Sequence, residues 1–354
     1  MTYPLEKHAM PVENSSHDPR RMCREAVIPP PRQRNWSRAG LRALVHYGGS
    51  ALALFLLFRF LSGRQVLAAL AKLPPRLWIL ATLTYLLIHC LGIAKWRLSV
   101  NAAGAGLSYL HAARCYFAGL FGSLFLPSLI GGDLVRATLA MRYGRTKAGV
   151  LLGSLFDRMV DLAALVLLSA TGAVLVPGTL QPQSRRILLW VGAVALAGVA
   201  LLITVAAVTP VRRLSMAMRR RLVSLRHASR SLARRPRVVL ATLSIAIVAQ
   251  LSFIRLSILL AVACGLRLGF LAWLFAWPLA KLSAAIPATQ GGIGVREAAL
   301  AGLLVPFGAP PTLTVAAGLA WEGVVIAGAL AGGLFALFAR PEDAAFRHGR
   351  FRSR

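Results

Sequence analysis

Acidic residues are scarce in this chain. Only 11 Asp and Glu stand against 41 Lys and Arg over 354 residues, a formal charge of +30. Charged residues of both signs together reach 15%, where soluble domains sit near a quarter. Cysteine is scarce as well. The four (Cys23, Cys90, Cys115, Cys264) form no CxxC pair, so neither a disulfide framework nor a zinc site is implied. The seven histidines have no ligand spacing. HExxH, GxSxG and Walker loops are all missing, so no metal, no cofactor and no catalytic activity is expected. An ATP-driven pump is set aside on the same ground. No apolar run lies near the start, which argues against a secretory signal.

What the chain does have is long apolar runs, with 57% hydrophobic residues. A charge of +30 often marks a nucleic-acid binder, but here the basic residues sit between the apolar runs, so no nucleic-acid partner is expected. The composition is that of a polytopic membrane protein. Residues 1–40, with Pro29-Pro30-Pro31 and scattered Arg, read as a disordered basic tail. Segments long enough for the roughly 30 Å hydrocarbon core follow at about 43–61, 77–94, 149–176, 187–209, 238–263 and 312–338. Two shorter apolar stretches are broken, one at about 115–130 by Pro127 and Gly131-Gly132, the other at about 270–305 by Pro287 and Gly291-Gly292.

The positive charges set an orientation. Most lie in the N-terminal tail, in the 95–114 connection (Lys95, Arg97, Arg114), in 136–147, in a loop at 210–237 that has ten Arg and no acid, and in the C-terminal tail 341–354 with Arg340 before it. The alternate loops at 62–76, 177–186 and 265–269 hold six. This asymmetry places both termini and the basic loop in the cytoplasm of a bacterial inner membrane. Six full spans then leave the broken stretches entering and leaving on one side each, as re-entrant hairpins. The basic loop reads as a patch on anionic headgroups of the cytoplasmic leaflet, with Leu214, Met218, Leu222 and Leu225 on one face of an amphipathic helix. Trp78, Trp96, Trp190 and Trp321, near span ends, read as interfacial belt residues.

The chain repeats itself at an offset of 160. Leu80-Ala81-Thr82-Leu83 returns as Leu240-Ala241-Thr242-Leu243, and Lys95 falls on Arg255. Pro127-x3-Gly131-Gly132-x2-Val135-Arg136 returns as Pro287-x3-Gly291-Gly292-x2-Val295-Arg296. Span 77–94 runs inward by the charge rule and its partner 238–263 runs outward, so the units at about 77–176 and 238–338 are expected to be inverted. Inverted repeats with discontinuous helices are an architecture of secondary transporters. The expected fold is an all-α polytopic membrane protein, an inverted-repeat helical bundle with two re-entrant hairpins, over residues 41–340.

Six of the acids lie in the two tails, and the other five are Asp133, Asp157, Asp161, Glu297 and Glu322. Ionisable groups inside spans are costly unless paired or hydrated, so each is a site candidate. One reading is that they neutralise Arg136, Arg158 and Arg296. A sharper one makes Gly131, Gly132, Gly291 and Gly292 helix starts whose free N–H groups, with Arg136, Arg296 and Lys281, hold an anionic lipid headgroup. Asp133, Asp157, Arg158, Asp161, Glu297 and Glu322 would then compensate charge or couple transport. The alternative for the glycines is close helix packing.

Gly-Gly-Asp133-x2-Arg136, Asp157-Arg158-x2-Asp161 and Gly291-Gly292-Ile-Gly-x-Arg296-Glu297 together resemble the transmembrane, flippase-like domain of the lysylphosphatidylglycerol synthase family, over roughly residues 40–340. The resemblance implies translocation of a charged or glycosylated phospholipid, or a polyprenyl-phosphate lipid, between leaflets. Synthase activity is not expected, because full-length members have it in a cytosolic domain after the membrane part. Two other readings remain open: a non-transporting membrane partner of a lipid- or polysaccharide-modifying enzyme, and a small-solute transporter.

Overall fold

The backbone of a chain this apolar has nowhere to satisfy its polar groups but within helices, and helices are what the computed structural model contains. It describes residues 63–126, 129–176, 235–284 and 293–339. The chain divides into a unit of residues 1–41, outside those ranges, and a unit of residues 42–354. The expected spans at 43–61 and 187–209, nearly all of the basic loop and both tails lie outside the described residues, as do Pro127, Pro287, Gly291 and Gly292.

Nine α-helices are described, with no strand among the described residues: α1 (Gly63–Leu70), α2 (Pro75–Ala102), α3 (Tyr109–Gly122), α4 (Leu129–Tyr143), α5 (Lys147–Leu175), α6 (Pro236–Ala263), α7 (Phe270–Ser283), α8 (Val295–Leu304) and α9 (Pro311–Phe338). A 3₁₀ turn, Val305–Phe307, follows α8. Proline opens α2, α6 and α9 at the first helical position, where its missing N–H costs nothing. Ser108 caps α3 by accepting a hydrogen bond from the His111 N–H.

Three helices, α2, α6 and α9, are long and apolar enough to cross a membrane. Each has 28 residues, about 42 Å of helix against a hydrocarbon core of about 30 Å. α5 is as long, at 29 residues, and has Asp157, Arg158 and Asp161 in its middle. α3 and α7, at 14 residues each, reach only about 21 Å.

Lengths and contacts recur between α2–α5 and α6–α9. α2 packs on α6; α3 packs on α9 as α7 does on α5; α2 packs on α5 as α6 does on α9; and α3 packs on α4 as α7 does on α8. The register of the recurrence shifts along the chain. Gly104 after α2 and Gly265 after α6 both stand at φ 93° and close equivalent helix ends. They lie 161 residues apart, one more than the hairpin motifs. Counted back from these glycines Lys95 stands level with Leu256, whereas Leu80-Ala81-Thr82-Leu83 and Leu240-Ala241-Thr242-Leu243 keep the offset of 160 that sets Lys95 on Arg255. Arg255 is exposed and lies over the Phe270 ring, whereas Lys95 is buried.

α9 packs on α1, α2, α3, α6 and α8. Four of its glycines face rings: Gly323 against Trp78, Gly328 against Tyr85, Gly332 against Phe117 and Gly333 against Phe121. A Cβ at Gly328 would come within 2.5 Å of the Tyr85 ring. The first two contacts make α9 run in the same sense as α2. α5 runs against α2, with Gly153 on the Val100 backbone and Ser154 accepting from the Trp96 indole N–H at 3.0 Å. Two of the expected belt residues are thus interior: Trp96 is fully buried, and Trp321 sits in a ring cluster with Tyr85, Phe253 and Trp277.

Candidate functional site

Charged groups inside an apolar bundle collect where they can pair, and two groups form here. In the first, α2 brings Lys95, α4 brings Asp133 and Arg136, and α5 brings Asp157, Arg158 and Asp161. Lys95 Nζ lies 3.0 Å from Asp157 and 2.6 Å from Asp161. Arg136 Nη2 lies 3.1 Å from Asp133 and 3.5 Å from Asp157. Arg158, the exposed member, pairs with Asp133 and reaches Asp161 at 3.9 Å. Three cations meet three carboxylates. Arg136 is also covered by the rings of Trp96 and Tyr116, at 4.8 and 5.1 Å from their centroids. Its Nε has no hydrogen-bond partner.

Lys95 was expected in a cytoplasmic connection. α2 instead continues for two turns beyond residue 94, to its stop near Gly104, and this places Lys95 inside the bundle. The reason is that a single Lys or Arg does not end a helix; a glycine at positive φ does.

In the second group, Arg296 Nη2 donates to Glu297 Oε1 at 2.5 Å and to Glu322 Oε2 at 2.9 Å. Glu297, fully buried, also accepts the Gly294 N–H at 2.7 Å through Oε2. One carboxylate thus meets both the start of this helix and its arginine. α8 begins at Val295, and Gly294 before it stands at φ 86°. In the other hairpin α4 begins earlier, at Leu129, so Gly131 and Gly132 are helical and Arg136 lies in mid-helix rather than in the first turn. Gly132 and Gly119 meet backbone to backbone, each within about 2.7 Å of the other's carbonyl oxygen once a Cβ is added. Close helix approach accounts for that pair.

Lys281, near the end of α7, stands apart. It donates to Gln250 Oε1 at 3.0 Å and lies 4.8 and 4.9 Å from the Phe253 and Trp277 ring centroids. It makes no ion pair with a carboxylate among the described residues. His89 Nδ1 and the Tyr116 hydroxyl are 3.1 Å apart, and His89 Nε2 has no partner. Sequence reasoning missed Gln250, His89 and Tyr116, whose polar tips at helical spacing within apolar runs were the available signal. No group of three His, Cys, Asp or Glu among the described residues is placed to hold a metal ion.

The chain matches a family model described as the lysylphosphatidylglycerol synthase TM region over residues 42–333. No curated protein matches it.

Proposed function

The chain belongs to the lysylphosphatidylglycerol synthase transmembrane family, and from that premise we propose that this integral membrane protein moves an anionic or glycosylated phospholipid, or a polyprenyl-phosphate lipid, between leaflets, without catalysing a reaction. The observation that favours this reading is Lys281, a half-buried cation of the apolar bundle held by an amide oxygen and two rings, with no carboxylate in an ion pair with it among the described residues. Charges kept at membrane depth mark ion and substrate paths.

The geometry supports inversion of the two units. α9 runs with α2, while Phe253 meets Trp321 and Ser257 borders Ala317 and Gly318, so α9 runs against α6. α2 and α6 then point in opposite senses. α3 with α4, and α7 with α8, are each too short to cross and serve as re-entrant hairpins, opening from the cytoplasm and from outside respectively. Both termini lie in the cytoplasm of a bacterial inner membrane.

The arginines take a role different from a standing headgroup clamp. Arg136 and Arg296 hold carboxylates in this state, and they meet a lipid phosphate only when the hairpins part. Lys281 is the cation available to it beforehand.

The test is translocation of labelled phosphatidylglycerol by the full-length protein in proteoliposomes. Transport above that of protein-free vesicles, reduced at least about tenfold by Lys281→Gln, is expected. No transport of any anionic lipid by the wild type moves the assignment to a membrane partner of a lipid-modifying enzyme. Native mass spectrometry of the lipids retained by the protein names the class.

A further inference from the structure

Two carboxylates and one guanidinium make up the second charged group, and their sum is one negative charge. Glu297 Oε1 and Glu322 Oε2 accept from the same nitrogen, Arg296 Nη2, at 2.5 and 2.9 Å. The Gly318 carbonyl adds a third oxygen at 3.4 Å. The helices packed around the group do not restore the balance. Lys281 on α7 has Asp161 as its carboxylate neighbour, not a glutamate. On α2, Tyr85 lies within electrostatic reach of Glu322 and Arg296, and His89 stacks edge-on against Tyr85 and meets Tyr116 of α3. Arg114 of α3 is committed to the far end of α9, at the Ala336 carbonyl, while Arg255 of α6 lies over Phe270 and Arg64 of α1 is exposed.

The two glutamates are not equivalent. Glu297 is fixed: Oε2 accepts the Gly294 N–H and Oε1 the Arg296 donor, so a proton on either oxygen would face another donor. Its side chain is fully buried, and its Cγ lies within 2.7 Å of where a Cβ on Gly318 would stand. Glu322 has more freedom. Only its Oε2 meets Arg296, Oε1 makes no hydrogen bond among the described residues, and the side chain is 13% exposed. Beside the group, Arg296 and Gly318 border a cavity of about 10 Å³ together with Ser257 and Trp273. That hydroxyl and indole N–H are buried and have no partner. The cavity has room for one water, which sets a polar step against Arg296.

We propose that Glu322 is the proton-coupling residue of transport: its Oε1 takes up one proton, which brings the second group to zero charge, and releases it when the hairpins part. An uncompensated charge inside an apolar bundle is costly, and a proton is the smallest ligand that removes it. The step is a plain transfer. A hydronium ion gives its proton to the carboxylate, an O–H bond forms on Oε1 and water is left; release is the reverse. The inference deepens the lipid-transport reading, and its coupling half rests on that reading. A phosphodiester headgroup adds one negative charge to the bundle beside Lys281, and the proton removes one at Glu322.

The experiment takes the full-length wild type, Glu322→Gln and Glu322→Asp in liposomes. Infrared spectra read the carboxylic acid C=O band, and the leaflet ratio of labelled phosphatidylglycerol reads coupling, under a gradient of one pH unit with the potential held at zero. Glutamine keeps an acceptor for Arg296 and leaves a neutral Arg296–Glu297 pair, so the variant folds. The wild type is expected to show a carboxylic acid band that Glu322→Gln loses and Glu322→Asp moves in frequency. The gradient should shift the wild-type leaflet ratio about tenfold, one proton moving with each lipid, and leave the Glu322→Gln ratio unchanged. No such band in the wild type, a band unmoved in Glu322→Asp, or a sodium gradient that shifts the ratio in place of the pH gradient overturns the proposal. If the wild type equilibrates lipid without responding to the pH gradient, coupling is overturned and the transport reading stands. If the wild type moves no lipid while Glu322→Gln still loses the band, the transport reading fails and the proton site stands.

Discussion

Lys281 donates to Gln250 at 3.0 Å, and this amide oxygen takes the place that a carboxylate occupies for Lys95. A cation so held loses its hydration without the return of an ion pair. Lys281→Met should therefore leave stability unchanged or raise it, while translocation falls at least about tenfold. Parallel measurements of Tm and transport check this; a loss of both together would make Lys281 a structural residue.

Lys95 behaves in the opposite way. Removing it leaves Asp157 and Asp161 facing each other inside the bundle, and breaking a buried pair costs about 3–5 kcal/mol. Lys95→Met should unfold early in a denaturant series. Adding Asp161→Asn to it, which returns the group to zero charge, should restore most of the loss, a coupling that a double-mutant cycle reads directly.

Glu297 combines a cap and a counter-ion, and two substitutions separate the roles. Glu297→Gln keeps an acceptor for the Gly294 N–H but removes the charge; Glu297→Ala removes both. The alanine variant should be less stable than the glutamine variant by about 1 kcal/mol, the usual worth of an N-terminal cap. Equal stabilities would mean that the ion pair with Arg296 is the whole contribution.

Helix contact on α9 depends on glycine at Gly328, whose Cβ position meets the Tyr85 ring. Gly328→Leu should cost more than the 1–3 kcal/mol of ordinary overpacking, visible as loss of the monodisperse peak in size-exclusion chromatography. Gly302→Ala, where nothing lies within 4 Å, serves as the neutral control.

Inversion of the units has a topological check. Lys147→Cys, at the start of α5, and Gly269→Cys, before α7, should react with a membrane-impermeant thiol reagent on opposite sides of the membrane, in a background lacking the native cysteines. Labelling of both in intact cells would rule out the inverted arrangement.

The spans were legible because length and apolarity suffice for them: 238–263 and 312–338 differ from α6 and α9 by two residues or fewer. The five acids were legible because a charge within an apolar run has no other explanation than pairing or passage. The partners were not. Lys95 fell outside a span drawn by apolarity, and its approach to Asp157 and Asp161 is a contact across more than 60 residues of chain. Ser257 and Trp273 are ordinary helix residues in sequence; only their shared cavity, and the donors left open in it, sets them apart.

The two charged groups have an electrical consequence. Lys95, Arg136 and Arg158 balance Asp133, Asp157 and Asp161, whereas Arg296 faces both Glu297 and Glu322 and leaves one negative charge over. A membrane potential exerts a force in proportion to net charge, about 2.3 kcal/mol per elementary charge per 100 mV. The first group sums to a formal charge of zero and the second to −1, so displacing the second along the membrane normal does electrical work and displacing the first does not. A potential therefore pulls on α8 and α9, which carry the second group, and leaves the first group untouched.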